Sequence, residues 1–443
     1  MTMPDTCHLF DHLKRVALAS LLLIAFGLPA VADMIGHGGM IRSLRISADG
    51  STVLSASFDH SARLWLFDEQ STIRVLDGHD GPLNDAVFLT ANRIATAGAD
   101  GQIIIWGGPE MKIQKQIRAH AGRITSLATV DNEHLISGGW DGKIILWDLS
   151  ASKAITEFNM KEAVVGVAIT ADGKHLIAAG RSGNIARWRL SDGIRTARLQ
   201  AHKVSLFQLQ QSANGQRLLT VGPDSFVKIW DLEKFRLLHE YGIAADRRVS
   251  ASTVNHSGNL LAIGYLDGTV MIVDANTGEI RRQLQADDGP VWSIAISPNN
   301  QFLLSAGRSE RIRVWHIASG DRISVSQDTS QARPTPWLES KHPGARLFRK
   351  CAICHALTAD EPQRSGPHFA GLLGRQMGSV DSYRYSATLQ QRNIFWNRNN
   401  LERLFILGPD QFLPGTKMPV QKISNAGQLA KLIDYLEILT TPD

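Results

Sequence analysis

A unit of 41–43 residues recurs seven times between Asp33 and Val325, and no other feature constrains the fold as strongly. In each unit an aromatic or apolar residue closes a β-branched run: Trp65, Trp106, Trp147, Trp188, Trp230, Val273 and Trp315. Six residues before each stands a turn position: Asp59, Asp100, Asp141, Ser182, Asp224, Asp267 and Ser309. Short alternating strands are separated by Asp-Gly, Asn-Gly or Ser-Gly turns, as in Ile94 to Trp106 and Leu260 to Val273. One four-stranded sheet of this kind cannot bury both its faces. Seven stacked radially around an axis can, and they leave only short edges.

Trp147-Asp148 and Trp230-Asp231 form a recurring dipeptide, and Gly78-His79, Ala119-His120 and Ala201-His202 occupy equivalent places in their repeats. These residues resemble the WD repeat propeller, over seven copies. The resemblance implies a buried hydrogen-bonded set of His, Ser or Thr, Asp and Trp in a blade. The full set is present as His37/Ser55/Asp59/Trp65, His79/Thr96/Asp100/Trp106, His120/Ser137/Asp141/Trp147 and His202/Thr220/Asp224/Trp230. Repeats four, six and seven are incomplete, with Val273 in the tryptophan place of the sixth and Ser309 in the aspartate place of the seventh. Strand counting gives each repeat its own outer strand, such as Ile73 to Leu76 or Arg322 to Val325. The ring is therefore expected to close without the first and last blades exchanging a strand. The histidines recur at one repeat position, which makes them structural rather than catalytic. A binding face is the better expectation. Phe58, Trp140, Arg181, Leu266 and Arg308 precede the turn residues on one rim, and aromatic and arginine side chains are typical anchors for a protein partner.

The N-terminus reads as an export signal over residues 1–32. Lys14 and Arg15 precede an apolar run from Val16 to Leu28, and Ala30-Val31-Ala32 is a small-x-small cleavage site. The run is too short to span a bilayer comfortably, so no stable membrane span is expected after cleavage; an uncleaved anchor is the alternative. A mature chain starting at Asp33 loses Cys7 and keeps only Cys351 and Cys354. An exported, periplasmic protein with no other cysteine is not built on disulfides.

Those two cysteines stand in Cys351-Ala352-Ile353-Cys354-His355. Two thiols at this spacing followed at once by histidine form the attachment motif of a c-type haem. Each thiol adds across one vinyl group, and the next residue places an imidazole beneath the iron. A zinc half-site or a redox dithiol uses the same cysteine spacing. The adjacent histidine and the lack of a second cysteine pair argue against both.

Between the two regions, residues 326–340 lose the repeat and gain Pro334 and Pro336, as a linker does. From Lys341 to Asp443 a second order follows. Gly344 and Phe348 precede the haem motif. After it come Gly366-Pro367, Gly371-Leu372-Leu373-Gly374-Arg375, Tyr383-Arg384-Tyr385-Ser386, Trp396 and Pro414-Gly415-Thr416-Lys417-Met418-Pro419. A last amphipathic segment carries Leu429, Leu432, Ile433, Leu436 and Leu439, with Tyr435 beside them. This stretch resembles class I cytochrome c of the soluble bacterial and mitochondrial type, so the expected fold class is an all-β seven-bladed propeller followed by an all-α cytochrome c domain.

The resemblance implies roles residue by residue. Cys351 and Cys354 form the thioethers of one covalent haem c, and His355 is the proximal iron ligand. The carbonyl of Pro367 accepts the second ring N–H of that histidine. Met418 is the distal ligand. Arg375, Tyr385 and Trp396 meet the propionates. The terminal helix crosses the one bearing Phe348, with Tyr435 near the contact. Met377 rivals Met418 by residue type, Tyr383 rivals Tyr385, and Leu389 stands where the family commonly has a polar residue.

With two protein ligands on the iron, the chain is expected to pass single electrons to a redox protein rather than to act as an enzyme. From Lys341 onward thirteen lysines and arginines face eight acids, which favours a partner that is acidic at its docking site. The charge of +5 over 443 residues comes without a basic helix or an aromatic-interleaved patch, so nucleic acid is not expected. A redox-responsive scaffold, and a propeller enzyme with the cytochrome as its electron outlet, are the alternatives.

Overall fold

The computed structural model describes residues 33–323 and 340–440, apart from 225, 243–246, 360–365, 382, 384, 386, 417, 419 and 420 and the side chains of 349, 350, 353, 387 and 388. The expected export signal, nearly all of the expected linker, Lys417 and the Lys350 side chain lie outside that set.

Seven antiparallel sheets form the propeller. Blade 1 runs Ile41–Ile46, Thr52–Ser57, Ser61–Leu66 and Ser71–Asp77, and the next five blades repeat this order. The second strand of each blade is almost wholly buried, as in Arg93–Gly98 and His134–Gly139. The outermost strand is mostly exposed, as in Lys112–Arg118. Seven hydrophobic clusters hold the ring, one at each junction between neighbouring blades. At the second junction Val87 and Ile105 meet Leu127, Leu135 and Trp147.

The repeating tryptophan follows a β-bulge against the outer strand, at Leu64/Trp65, Ile105/Trp106 and Leu146/Trp147 among others. Its indole N–H then donates inward: Trp65 to Ser55 at 2.8 Å, Trp106 to Thr96 at 2.8 Å, Trp147 to Ser137 at 2.9 Å and Trp230 to Thr220 at 2.9 Å. Each of these hydroxyls bonds Nε2 of its histidine, and Nδ1 of the histidine meets the aspartate at 2.8–3.0 Å. The four expected sets are therefore closed chains with every buried donor used. In the seventh blade Trp315 still donates to Ser305 at 2.8 Å, but Asp287 stands in the histidine place. It accepts from the Ser309 hydroxyl at 2.6 Å and from Arg313 at 2.8 Å. The acid has moved to the histidine place and a serine to the aspartate place, and the two still bond each other.

Ring closure differs from the expectation. Met34–Ile35 pairs with Arg311–His316 of blade 7, with Met34 opposite Ile312 and Ile35 opposite Arg311. The chain's own return, Arg322–Ile323, pairs further along the same edge. The N-terminal strand thus joins the last blade's sheet, while blade 1 keeps its own four strands. The described return strand covers only part of that edge, and the N-terminal strand satisfies backbone groups it leaves open. The side chain of Asp33 beside it is 2% exposed and ion-paired with Arg311, Arg313 and Arg322, which fastens the seam.

The described residues after 340 form five helices: α1 (Ala345–Cys354), α2 (Ala387–Gln390), α3 (Arg398–Leu407), α4 (Pro409–Phe412) and α5 (Ala426–Thr440). Turns and irregular segments make up the rest, with one isolated bridge between Gln376 and Phe395. Asn397 caps α3 by accepting from the Asn400 amide at 2.9 Å. Helix α1 crosses α5 at Phe348 and Tyr435, whose rings meet edge to face at 5.7 Å. Gly344 permits this approach, since a Cβ there would lie 2.0 Å from the Lys431 carbonyl oxygen. Phe348, Leu401, Leu404, Leu432, Ile433 and Leu436 form one core with Leu372, Met377 and Leu389. No described helix is long and apolar enough to cross a membrane.

Candidate functional site

Helix α1 ends at the cysteine pair. The His355 amide donates to the Cys351 carbonyl at 3.0 Å, and the backbone then turns extended. The imidazole leaves the helix at a fixed angle. Its Nδ1–H donates to the Pro367 carbonyl at 2.7 Å, and its ring stacks on Phe369 with centroids 4.4 Å apart. Gly366 supplies the room, because a Cβ there would lie 2.5 Å from the His355 ring. That bond fixes the tautomer of the ring, with the proton on Nδ1 and the lone pair on Nε2.

All eight residues singled out from the sequence line one cavity: Cys351, Cys354, His355, Pro367, Arg375, Tyr385, Trp396 and Met418. They come from α1, from the 366–375 turn, from the segments before α2 and α3, and from the loop after α4. The remaining wall is mainly apolar, with Leu372, Leu389, Leu401, Leu404, Phe405, Leu413 and Leu436. Arg375 is anchored by donating to the carbonyls of Ala370 at 2.6 Å and His368 at 2.8 Å. Burial lowers the pKa of its guanidinium and raises that of the Tyr385 hydroxyl. Both rivals reach the same cavity. Met377 is 2% exposed, and the Tyr383 ring meets Tyr385 edge to face at 4.8 Å.

Neither cysteine is in a disulfide, and both are buried. Burial, with the nearby charges of Asp59 and Glu310, raises the Cys354 pKa far above the ordinary thiol range. A low-pKa thiolate is what zinc binding and dithiol exchange need, and this environment works against it. Among the described residues no group of three or more His, Cys, Asp and Glu is placed to hold a metal, so a wholly conventional zinc site is not assembled. A slot with an imidazole and a thioether, two thiols at its edge, apolar walls and one anchored arginine fits a haem.

One wall residue comes from the propeller and was missed by sequence reasoning. Asp59, the turn aspartate of blade 1, lines the same cavity. The Cys354 thiol lies 3.5 Å from the Gly38 carbonyl oxygen of that blade. Asp59 accepts from His37 Nδ1 at 2.8 Å, the Gly38 amide at 2.9 Å, and the Ser61 amide and hydroxyl at 2.9 and 2.7 Å. Burial alone would raise its pKa; these donors and the charge of Arg63 hold it well below the usual carboxylate range. Burial lowers the pKa of His37, against the opposing pull of the Asp59 carboxylate.

Glu310, on blade 7, is pushed up to about 7 by burial and by the charge of Asp59. Its folded pKa is raised, so at low pH the protonated acid costs nothing. Stability is lost as pH climbs from the ordinary 4.5 through about 7. Glu310→Gln is expected to remove that loss. Thermal midpoints of the two proteins should agree near pH 4.5 and diverge above pH 7 with the variant the more stable; parallel curves would refute the assignment.

The rim residues expected at a binding face are exposed: Phe58, Trp140, Arg181, Leu266 and Arg308. The Trp140 ring lies between Arg123, 3.2 Å from its centroid, and Arg181 at 5.2 Å. Two guanidinium groups thus sit beside one exposed indole on the rim.

The model of the WD domain, G-beta repeat, matches residues 30–65, 70–107, 111–148, 193–231 and 278–316. That of the anaphase-promoting complex subunit 4 WD40 domain matches 243–294. The chain is also similar to cytochrome c of Guizotia abyssinica, 35% identical over 98 residues that are 22% of this chain and 87% of the relative. Cytochrome c of Cochliobolus lunatus is 39% identical over 95 residues, 21% of this chain and 87% of the relative. A cytochrome c homolog of Rickettsia prowazekii is 34% identical over 150 residues, 34% of this chain and 83% of the relative. The chain thus carries WD repeats folded as a seven-bladed propeller, and through a stretch of about a hundred residues it belongs to the cytochrome c family.

Proposed function

We propose that residues 341–443 form a class I cytochrome c domain, and that the protein is an exported, periplasmic carrier of single electrons whose propeller docks it to a protein partner. The observation that carries this reading is the single cavity in which Cys351, Cys354, His355 and Met418 meet beside an anchored arginine. When bound, one covalent haem c supplies reversible one-electron chemistry at its iron.

The chain's own residues set the conditions for that chemistry. Cys351 and Cys354 hold the group at its edge. Pro367 fixes the His355 tautomer, and a ring committed at Nδ1 offers its Nε2 lone pair as the proximal ligand. Met418 offers a thioether from the loop after α4. His355 and Met418 together would hold the iron and leave no room for a substrate on it, which would favour electron transfer over turnover and give the site no catalytic role. Arg375, with Tyr385 and Trp396, supplies positive charge and hydrogen bonds for the propionates. The apolar wall excludes water and, with the thioether, favours the reduced state.

Replacing Met418 with alanine is expected to open the distal position. The reduction potential should fall on the order of 0.1 V or more, within the ~0.8 V that axial ligands span. The ferric protein should gain affinity for added imidazole. Spectroelectrochemical titration with and without imidazole checks both; an unchanged potential with Met377 intact would transfer the ligand role to Met377.

A further inference from the structure

The tight turn six residues before the repeating tryptophan has a second member, and in blades 2, 3, 4 and 6 it is glycine at positive φ: Gly101, Gly142, Gly183 and Gly268, between 71° and 89°. Blades 1 and 7 keep the same left-handed backbone but place His60 at φ 71° and Glu310 at φ 59°. A side chain there is strained, and glycine would relieve it. These are the two blades that face the haem-attachment segment. Gly38 of blade 1 meets the Cys354 sulfur, and Asp59, next to His60, forms part of the cavity wall. Glu310 lies close enough to Asp59 for the two charges to interact. The aspartate of this turn is sealed where the segment sits: its side chain is 2% exposed at Asp59, against 15% at Asp141 and 13% at Asp224.

We propose that the rim of blades 1 and 7 is a built-in docking surface for the Cys354 edge of the chain's own haem site. A redox partner of protein size then reaches that edge only after the propeller is displaced. The Cys354 sulfur, which lies against Gly38, marks the side of the cavity that the propeller covers. His60 and Glu310 hold strained turns because their side chains help to build the surface. The meaning of the covered edge rests on the haem reading above; the docking itself does not.

The test uses the full chain as purified, its haem content assayed, with His60→Gly and Glu310→Gly together. The propeller's thermal midpoint should hold or rise, since both turns relax. Amide exchange in peptides covering 351–357 and 36–40 should rise at least about tenfold, while blades 3 to 5 stay unchanged. Oxidation by a protein-sized oxidant should accelerate, with oxidation by a small inorganic complex unaffected. Unchanged exchange at both segments overturns the proposal. So does an increase spread over every blade, which would mean general destabilisation. If the double variant does not fold, Glu310→Gly alone is read in the same way. A chain that carries no haem but shows the exchange change refutes the electron-carrier reading and leaves the docking surface standing.

Discussion

Replacing Cys351 and Cys354 together with alanine is expected to yield a chain from which all haem is removed by acid–acetone extraction, whereas the parent keeps its haem through denaturation. The difference should be all or none, because it concerns covalent bonds. Beyond the contact of the Cys354 thiol with the Gly38 carbonyl, a covalent role is the one that the two cysteines' pairing with His355 points to. They form no disulfide, and among the described residues they join no metal-ligand cluster. Their burial in the helical core means that alanine removes one sulfur each without introducing a polar group. The cavity, His355 and Met418 survive in the variant, so any haem it binds is held by ligation and apolar contact alone. A haem-stained band on a denaturing gel decides the matter. A stained band in the double variant, or none in the parent purified from an exporting host, would refute thioether attachment.

The propeller was legible because its signal is periodic. Turn residues and tryptophans at fixed spacing specify strands and bulges without reference to the rest of the chain, and the four complete hydrogen-bonded sets follow from that spacing. Asp287 was also within reach, since it stands 22 residues before Ser309, as His37 stands 22 before Asp59. Looking for histidine there hid an acid doing the complementary job. The seam was not legible. Met34–Ile35 is a two-residue strand, too short to show alternation, and its partner lies at the far end of the repeat array.

The eight cavity residues were legible for a different reason. The haem-attachment motif is contiguous, and Pro367, Arg375, Tyr385, Trp396 and Met418 were placed by family spacing. What that spacing omits is anything from the other half of the chain. Asp59 reads as an ordinary turn residue of a repeat, and only the folded chain brings it to the cavity that Cys354 lines.

Asp59→Ala is expected to cost far more than the same change at Asp141, although the two occupy one repeat position. At Asp59 truncation strands the His37 Nδ1–H, the Gly38 amide and both Ser61 donors. It also removes the carboxylate that faces the buried Arg63 guanidinium. Losing one partner from a buried charged network costs roughly 3–5 kcal/mol. For a unit of this size that corresponds to a fall of roughly 10 °C in the midpoint of the β-sheet circular dichroism signal. At Asp141 the side chain is 15% exposed and accepts from His120 and the Lys143 and Ala121 amides. Water replaces part of what is lost there, and the cost should be about 1–2 kcal/mol. Asp59→Asn separates the two contributions, since it keeps the shape and some hydrogen bonds while deleting the charge. If Asp59→Asn falls near Asp141→Ala, the charge facing Arg63 supplies the excess. If it matches the parent, the hydrogen bonds do. Equal midpoints for Asp59→Ala and Asp141→Ala would mean that blade 1 gains nothing from the segment seated on it, and that the seal over the Cys354 edge is too weak to matter to the fold.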